Sequence, residues 1–166
     1  MRSLARLIAV CLIAACGSVA SAGPSPTIAG PCPITAPPTV ALTPPPTVTT
    51  GPNAGMVFRA GPDSFLYGND ALVALLPRDG TLRASDPARG LAGGIKFPWW
   101  RVAHGDLSIA TRRLDAPATP LRADVPGGYG DVGFQVSGLN FPSTGCWEVT
   151  GAVGRTKWTF VVNVAR

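Results

Sequence analysis

The chain predicts an all-β sandwich of about seven to nine short strands, carried behind an export signal and a proline-rich stalk. Three observations lead there. No apolar stripe of helical period survives for ten residues beyond Met56. From Met56 onward, short apolar or alternating runs are cut by glycine, proline and aspartate at the spacing of a two-layer β domain. Ahead of them lies a stretch with ten prolines between Gly17 and Pro52 and no charged side chain between Arg6 and Arg59. The resulting organisation is a signal over 1–15, a stalk over 16–52 and one sandwich over 53–166, since about 110 residues supply one core but not two.

The first residues have the form of a secretory signal: Arg2 and Arg6 precede an apolar run, Leu7 to Ala15, and small residues follow. Nine such residues make roughly 14 Å of helix, too short to span a bilayer. Ile13-Ala14-Ala15-Cys16 matches the box after which bacterial lipoproteins are cut and acylated, which would leave a lipidated Cys16 at the mature N-terminus. The competing site is Ala20-Ser21-Ala22, whose cleavage after residue 22 would release a soluble chain beginning at Gly23. The lipoprotein cut is favoured because its box ends the apolar run directly, so the membrane enters as a partner through Cys16.

The stalk follows from composition. Pro37-Pro38 and Pro44-Pro45-Pro46 favour extended polyproline II, and Gly17 to Pro31 could reach roughly 45 Å at about 3.1 Å per residue. Val40 to Thr43 is a candidate first strand. Later candidates are Met56 to Arg59, Ser64 to Tyr67, Leu72 to Leu76, Thr81 to Ala84, Ile95 to Val102, Leu107 to Leu114, Val132 to Gly138, Cys146 to Val153 and Thr156 to Val164. Pro77-Arg78-Asp79-Gly80 and Ala103-His104-Gly105-Asp106 have the composition of tight hairpin turns.

The last hairpin is the most explicit. Gly154-Arg155 suits a two-residue type II′ turn, which sets Val153 opposite Thr156, Gly151 opposite Trp158, Val149 opposite Phe160 and Trp147 opposite Val162. One face then collects Trp147, Val149, Trp158, Phe160 and Val162 as core. Glu148, Thr150 and Lys157 take the other, and Cys146 falls with them.

Cysteine usage agrees with export. Cys11 leaves with the signal, Cys16 is lipidated or lost, and Cys32 and Cys146 remain as one pair in an oxidising compartment, expected to form a disulfide on the outside or rim of the sandwich. Loss of Arg2 and Arg6 also lowers the formal charge from +5 to +3, with the basic residues scattered, which is no nucleic-acid footprint.

Gly128-Tyr129, Gly133-Phe134-Gln135, Phe141-Pro142, Gly145-Cys146-Trp147-Glu148-Val149-Thr150-Gly151 and Thr159-Phe160-Val161-Val162, together with Tyr67-Gly68-Asn69 and Trp99-Trp100-Arg101, resemble an uncharacterised family of secreted or lipid-anchored bacterial proteins. The resemblance spans most of 56–166. It implies an immunoglobulin-like sandwich and extracytoplasmic placement, and it brings no reaction, cofactor or catalytic residue.

Motifs that invite an activity are weak. Gly128-Tyr129-Gly130-Asp131-Val132-Gly133 spells the dinucleotide string, yet Pro126-Gly127 precedes it and an alternating strand follows where a helix is required, so it reads as a glycine-rich turn. His104 is the sole histidine and lies near Asp106 and Ser108. Without converging ligands or a nucleophile elbow it reads as a polar loop, so neither a metal nor another cofactor is expected. Glu148 is the sole glutamate and falls on the polar sheet face, which makes a poor half of a glycosidase pair.

Aromatics carry the better case. Adjacent Trp99 and Trp100 in a strand point to opposite faces, so one is expected in the core and the other at least partly exposed, where Arg101 and Tyr129 would join it in a binding patch. The expected function is therefore a non-enzymatic extracytoplasmic envelope module that binds a protein or glycan at the cell surface. A carbohydrate-binding domain using exposed Trp and Tyr is the alternative, and a hydrolase ranks third.

Overall fold

The computed structural model describes residues 28, 30–84 and 90–166; the signal and Cys16 lie outside them. Nine strands follow in order among the described residues: β1 Ser64–Gly68, β2 Leu72–Pro77, β3 Thr81–Arg83, β4 Ile95–Arg101, β5 Leu107–Arg113, β6 Arg122–Asp124, β7 Gly133–Asn140, β8 Gly145–Val153 and β9 Thr156–Ala165. A 3-10 turn, Gly90–Gly93, precedes β4. The sheets are ordered β1-β2-β4-β7-β6 and β3-β9-β8-β5, and their inner faces close on one core in a sandwich-like arrangement.

The β8–β9 hairpin has the register that its turn residues dictate. Val153 pairs with Thr156, Gly151 with Trp158, Val149 with Phe160 and Trp147 with Val162. Gly154 sits at φ 58° while Arg155 keeps a negative φ, the pattern of a II′ turn. Trp147, Val149, Phe160 and Val162 are buried, as the alternation requires. Trp158 departs from that expectation: near the turn it is only half-buried, and it meets Tyr67 of β1 at 5.2 Å between ring centroids.

Inside the sandwich Trp99 of β4 packs edge-on to Phe97 at 4.8 Å and against Phe160 at 5.8 Å. Gly151 gives its ring room, for a Cβ there would lie 2.7 Å from the Trp99 ring. The indole nitrogen donates to the Ser137 hydroxyl at 2.9 Å, so this fully buried tryptophan brings no unpaired donor into the core.

Two tight turns take a different role from the one their composition suggests. Pro77 to Gly80 closes a turn, with the Gly80 N–H donating to the Pro77 carbonyl at 3.0 Å and the Asp79 carboxylate accepting from the Thr81 N–H at 2.9 Å. It joins β2 to β3, which belong to different sheets; residues 102–106 likewise carry the chain from β4 to β5 across the sandwich. β3 is then added in parallel to β9, a pairing that no hairpin can make. The short β6, beside β7, has no sequence counterpart among the expected strands.

The largest departure concerns the proline-rich segment. From Cys32 onward it is laid across the sandwich as a strap, not held away as a free spacer. Cys32 is bonded to Cys146 on the outer face of the second sheet. Thr35 exchanges hydrogen bonds with Val161 at 2.8 and 2.9 Å, and Ile34 fills the space above Gly80. Leu42, Val48 and Phe58 then cover the outer face of the first sheet, over Leu66, Val73 and Trp100. Neither Val40 to Thr43 nor Met56 to Arg59 forms a strand. Pro38 and Pro44 through Pro46 flank the first and leave no donors to extend a ladder beyond its four residues, and the second serves instead to deliver Phe58 onto Trp100.

Candidate functional site

β4 places both tryptophans with the expected opposite orientations, and both are buried: Trp99 is 0% exposed and Trp100 is 1% exposed. The expectation of one exposed ring fails because the outer sheet face has its own cover. Phe58 stacks on Trp100 with centroids 5.7 Å apart, and Phe134, paired with Trp100 across β4 and β7, touches Phe58 at 6.3 Å. Tyr129 is half-buried, edge-on to Phe134 at 5.9 Å. Trp100 and Tyr129 thus belong to one aromatic layer, joined through Phe134, but that layer is a second small core under the strap.

Arg101 is also buried, at 3% exposure. Its guanidinium donates to the Gly105 carbonyl at 2.9 Å and to the Gly130 carbonyl, which ties the 102–106 crossover to the glycine-rich loop before β7. Its Nε has no hydrogen-bond partner. Burial lowers its pKa from the ordinary arginine value, and the nearby Asp131 and Asp106 act in the opposite direction. Asn53 braces the same loop from the strap, donating to the Val132 carbonyl at 2.8 Å and to the Tyr129 carbonyl. Arg101 therefore organises two loops and is not placed to stack on an external ligand.

On the surface of this loop pair, His104 is bound to Asp131, whose carboxylate also accepts from the Gly105 N–H at 3.2 Å. The His104 contact, first, and the backbone donor, second, hold Asp131 below the ordinary carboxylate range. Glu148 is engaged by Arg112 at 3.2 and 3.3 Å on the outer face of the second sheet. Gly128, Gly130 and Gly133 all have positive φ in the loop, in keeping with a turn. Among the described residues no three His, Cys, Asp or Glu side chains converge as a metal site would require.

What the structure adds is a groove of about 370 Å³ where the strap passes the edge of the first sheet. Pro38 and Leu42 form one wall, Phe65 and Leu66 of β1 the other, and Arg59 and Arg78 stand at its rim. A neighbouring cleft of about 450 Å³ lies between Pro44 to Pro46 and the Asn69-Asp70 turn. None of these residues carries a sequence motif. The signal that could have pointed to them is the long uncharged run itself, since a segment without charge is as suited to lying on protein as to standing in water.

No family model, curated protein or solved structure matches this chain.

Proposed function

We propose that the chain is a non-enzymatic, extracytoplasmic envelope module with an immunoglobulin-like domain, held at a membrane by lipidated Cys16 and binding a protein partner through its strap. The observation that carries this reading is where apolar surface remains: Ile34, Val40, Met56 and Val57, the large apolar side chains left exposed among the described residues, all lie in the strap. Exposed apolar side chains gathered in one segment favour that segment as the interaction surface. The Cys32–Cys146 disulfide supports an oxidising compartment. Glu148, the sole glutamate, is occupied by Arg112, which speaks against its use as a catalytic acid.

Cross-linking mass spectrometry in the native envelope tests the reading. A defined neighbour linked to the strap, in a membrane fraction lost on Cys16→Ser, is the expected result. A soluble native chain beginning at Gly23, or an envelope protein with no neighbour, would overturn it. A glycan reading has one specific observation in its favour, the half-buried Tyr67–Trp158 pair, whose indole nitrogen is buried without a partner. Titration with cell-wall polysaccharides would then change Trp158 fluorescence, and a flat titration removes that alternative.

A further inference from the structure

We infer that the groove between the strap and β1 is the anchor pocket for a partner protein segment that presents an apolar side chain flanked by carboxylates. This rests on the module reading above and names the partner's chemistry. The groove's volume, about 370 Å³, is of the size that receives one or two large side chains, and its walls are apolar: Pro38 and Leu42 of the strap face Phe65 and Leu66 of β1. The charge at its rim has one sign. Arg59 and Arg78 line it, and no carboxylate does. Arg59 is exposed and makes no hydrogen bond or ion pair among the described residues. Arg78 uses its Nε to donate to the Pro62 carbonyl at 2.9 Å, which fixes the side chain at the rim while its terminal nitrogens make no hydrogen bond or ion pair among the described residues.

Exposed apolar side chains neighbour the groove residues in the chain. Val40, 82% exposed, lies between Pro38 and Leu42 in the chain, and Met56 and Val57 stand before Arg59 with the buried Phe58 between. An apolar pocket with arginines at the edge is the arrangement that anchors an interface: the pocket supplies desolvated contact, and arginine forms paired hydrogen bonds with carboxylates. A cationic or uncharged polar segment would leave both guanidinium groups unpaired at the contact. The disulfide, the Thr35–Val161 hydrogen bonds and the seat of Ile34 over Gly80 hold the strap wall in place before binding, which lowers the ordering cost of association.

Fluorescence anisotropy with the exported, disulfide-bonded chain provides the test. The probes are a fluorescein-labelled hexapeptide Asp-Glu-Leu-Phe-Glu-Asp, its lysine-for-acid counterpart, and a version with Ser-Ser in place of Leu-Phe. The acidic apolar peptide should bind, more weakly as salt rises, and both control peptides should bind at least tenfold more weakly. Arg59→Glu, a change at an exposed unpaired side chain, should weaken the acidic peptide by tenfold or more without moving the melting temperature. Leu42→Trp, which fills the groove, should abolish binding; Ala41→Asp, at an exposed residue of the lining, should weaken it even where the tryptophan variant misfolds. Equal binding of the acidic and lysine peptides, indifference to Arg59→Glu, or no binding of the acidic peptide overturns the proposal. Should the envelope cross-links then still lead to a partner through another part of the strap, the groove assignment falls while the module reading stands.

Discussion

At the scale of single residues, Trp99 and Trp100 show how strand alternation and burial come apart. Alternation sends the rings to opposite faces, and each face has a cover, Phe160 for one and Phe58 for the other. Substituting either by alanine should therefore cost about 3 to 5 kcal/mol, the range for emptying a buried aromatic site, and urea denaturation of the two variants checks it. A loss under about 1 kcal/mol at Trp100 would mean that the strap does not cover it in solution. Ionisation gives a second residue-scale outcome. Asp79 is held below the ordinary carboxylate value of 3.8 chiefly by the Thr81 N–H, Asp115 chiefly by Arg113 and Asp131 chiefly by His104. In the unfolded chain these groups take up protons at a higher pH than in the folded one. Their stabilisation is accordingly complete above the unfolded value, near 3.8, and is lost as pH falls through the lower folded values. Denaturation midpoints should stay level on the neutral side and drop below that point; the asparagine variants at 79, 115 and 131 should each flatten the drop.

Elements differ in how much of their geometry is local. The β8–β9 hairpin is wholly so: a glycine-first turn and an alternating pattern set both register and inner face, and every expected pair from Trp147 and Val162 to Val153 and Thr156 forms. Nothing lies within 4 Å of a Cβ built on Gly154, so its requirement is purely conformational, φ 58°. Gly154→Ala should cost about 1 kcal/mol and Gly154→Asn less, measurable by thermal unfolding, because only the left-handed backbone is at issue. Trp158 marks where the local argument stops. It alternates in phase with Phe160 and Val162, but it stands where the sheets no longer cover one another, and Tyr67 is left as its neighbour across the gap. The turns at Pro77 to Gly80 and at 102–106 show the same limit, since turn composition is shared by hairpins and by sheet-crossing connections. The choice depends on which distant strand pairs next, here β9 for β3 and β8 for β5.

For the molecule as a whole, the strap makes the disulfide more than a tether. Cys32 and Cys146 are 114 residues apart, for which the chain-entropy argument gives about 4 to 5 kcal/mol. Cutting that link frees the segment whose Leu42, Val48 and Phe58 cover the outer sheet face. Treatment with dithiothreitol, or serine at both cysteines, should lower the melting temperature, shift tryptophan emission to the red as Trp100 meets water, and speed hydrogen exchange at β4 and β7. Amides of the inner hairpin β8–β9 should exchange last. An unchanged emission maximum in the reduced, folded chain would show that Leu42, Val48 and Phe58 hold the strap down without the bond.

By itself the sequence determined what short-range chemistry decides: the β class from its periods, eight of the strands to within a few residues, the final hairpin's register from its turn, and the cysteine pair by parity. The tertiary structure alone decided where the proline-rich segment lies from Cys32 onward. Proline removes donors and favours extended backbone whether that backbone stands in water or rests on a sheet, and an absence of charge suits both. The difference is made by contacts between residues far apart in the chain, Phe58 on Trp100, Asn53 on the loop before β7 and Ile34 over Gly80. Trp99 lies in the inner core, and Phe58 of the strap covers Trp100, so the expected patch with Arg101 and Tyr129 has no exposed tryptophan, while the same strap created the groove at Arg59 and Arg78. Neither consequence is written in any local run of residues, because burial belongs to the two surfaces that meet and not to the spacing within one of them.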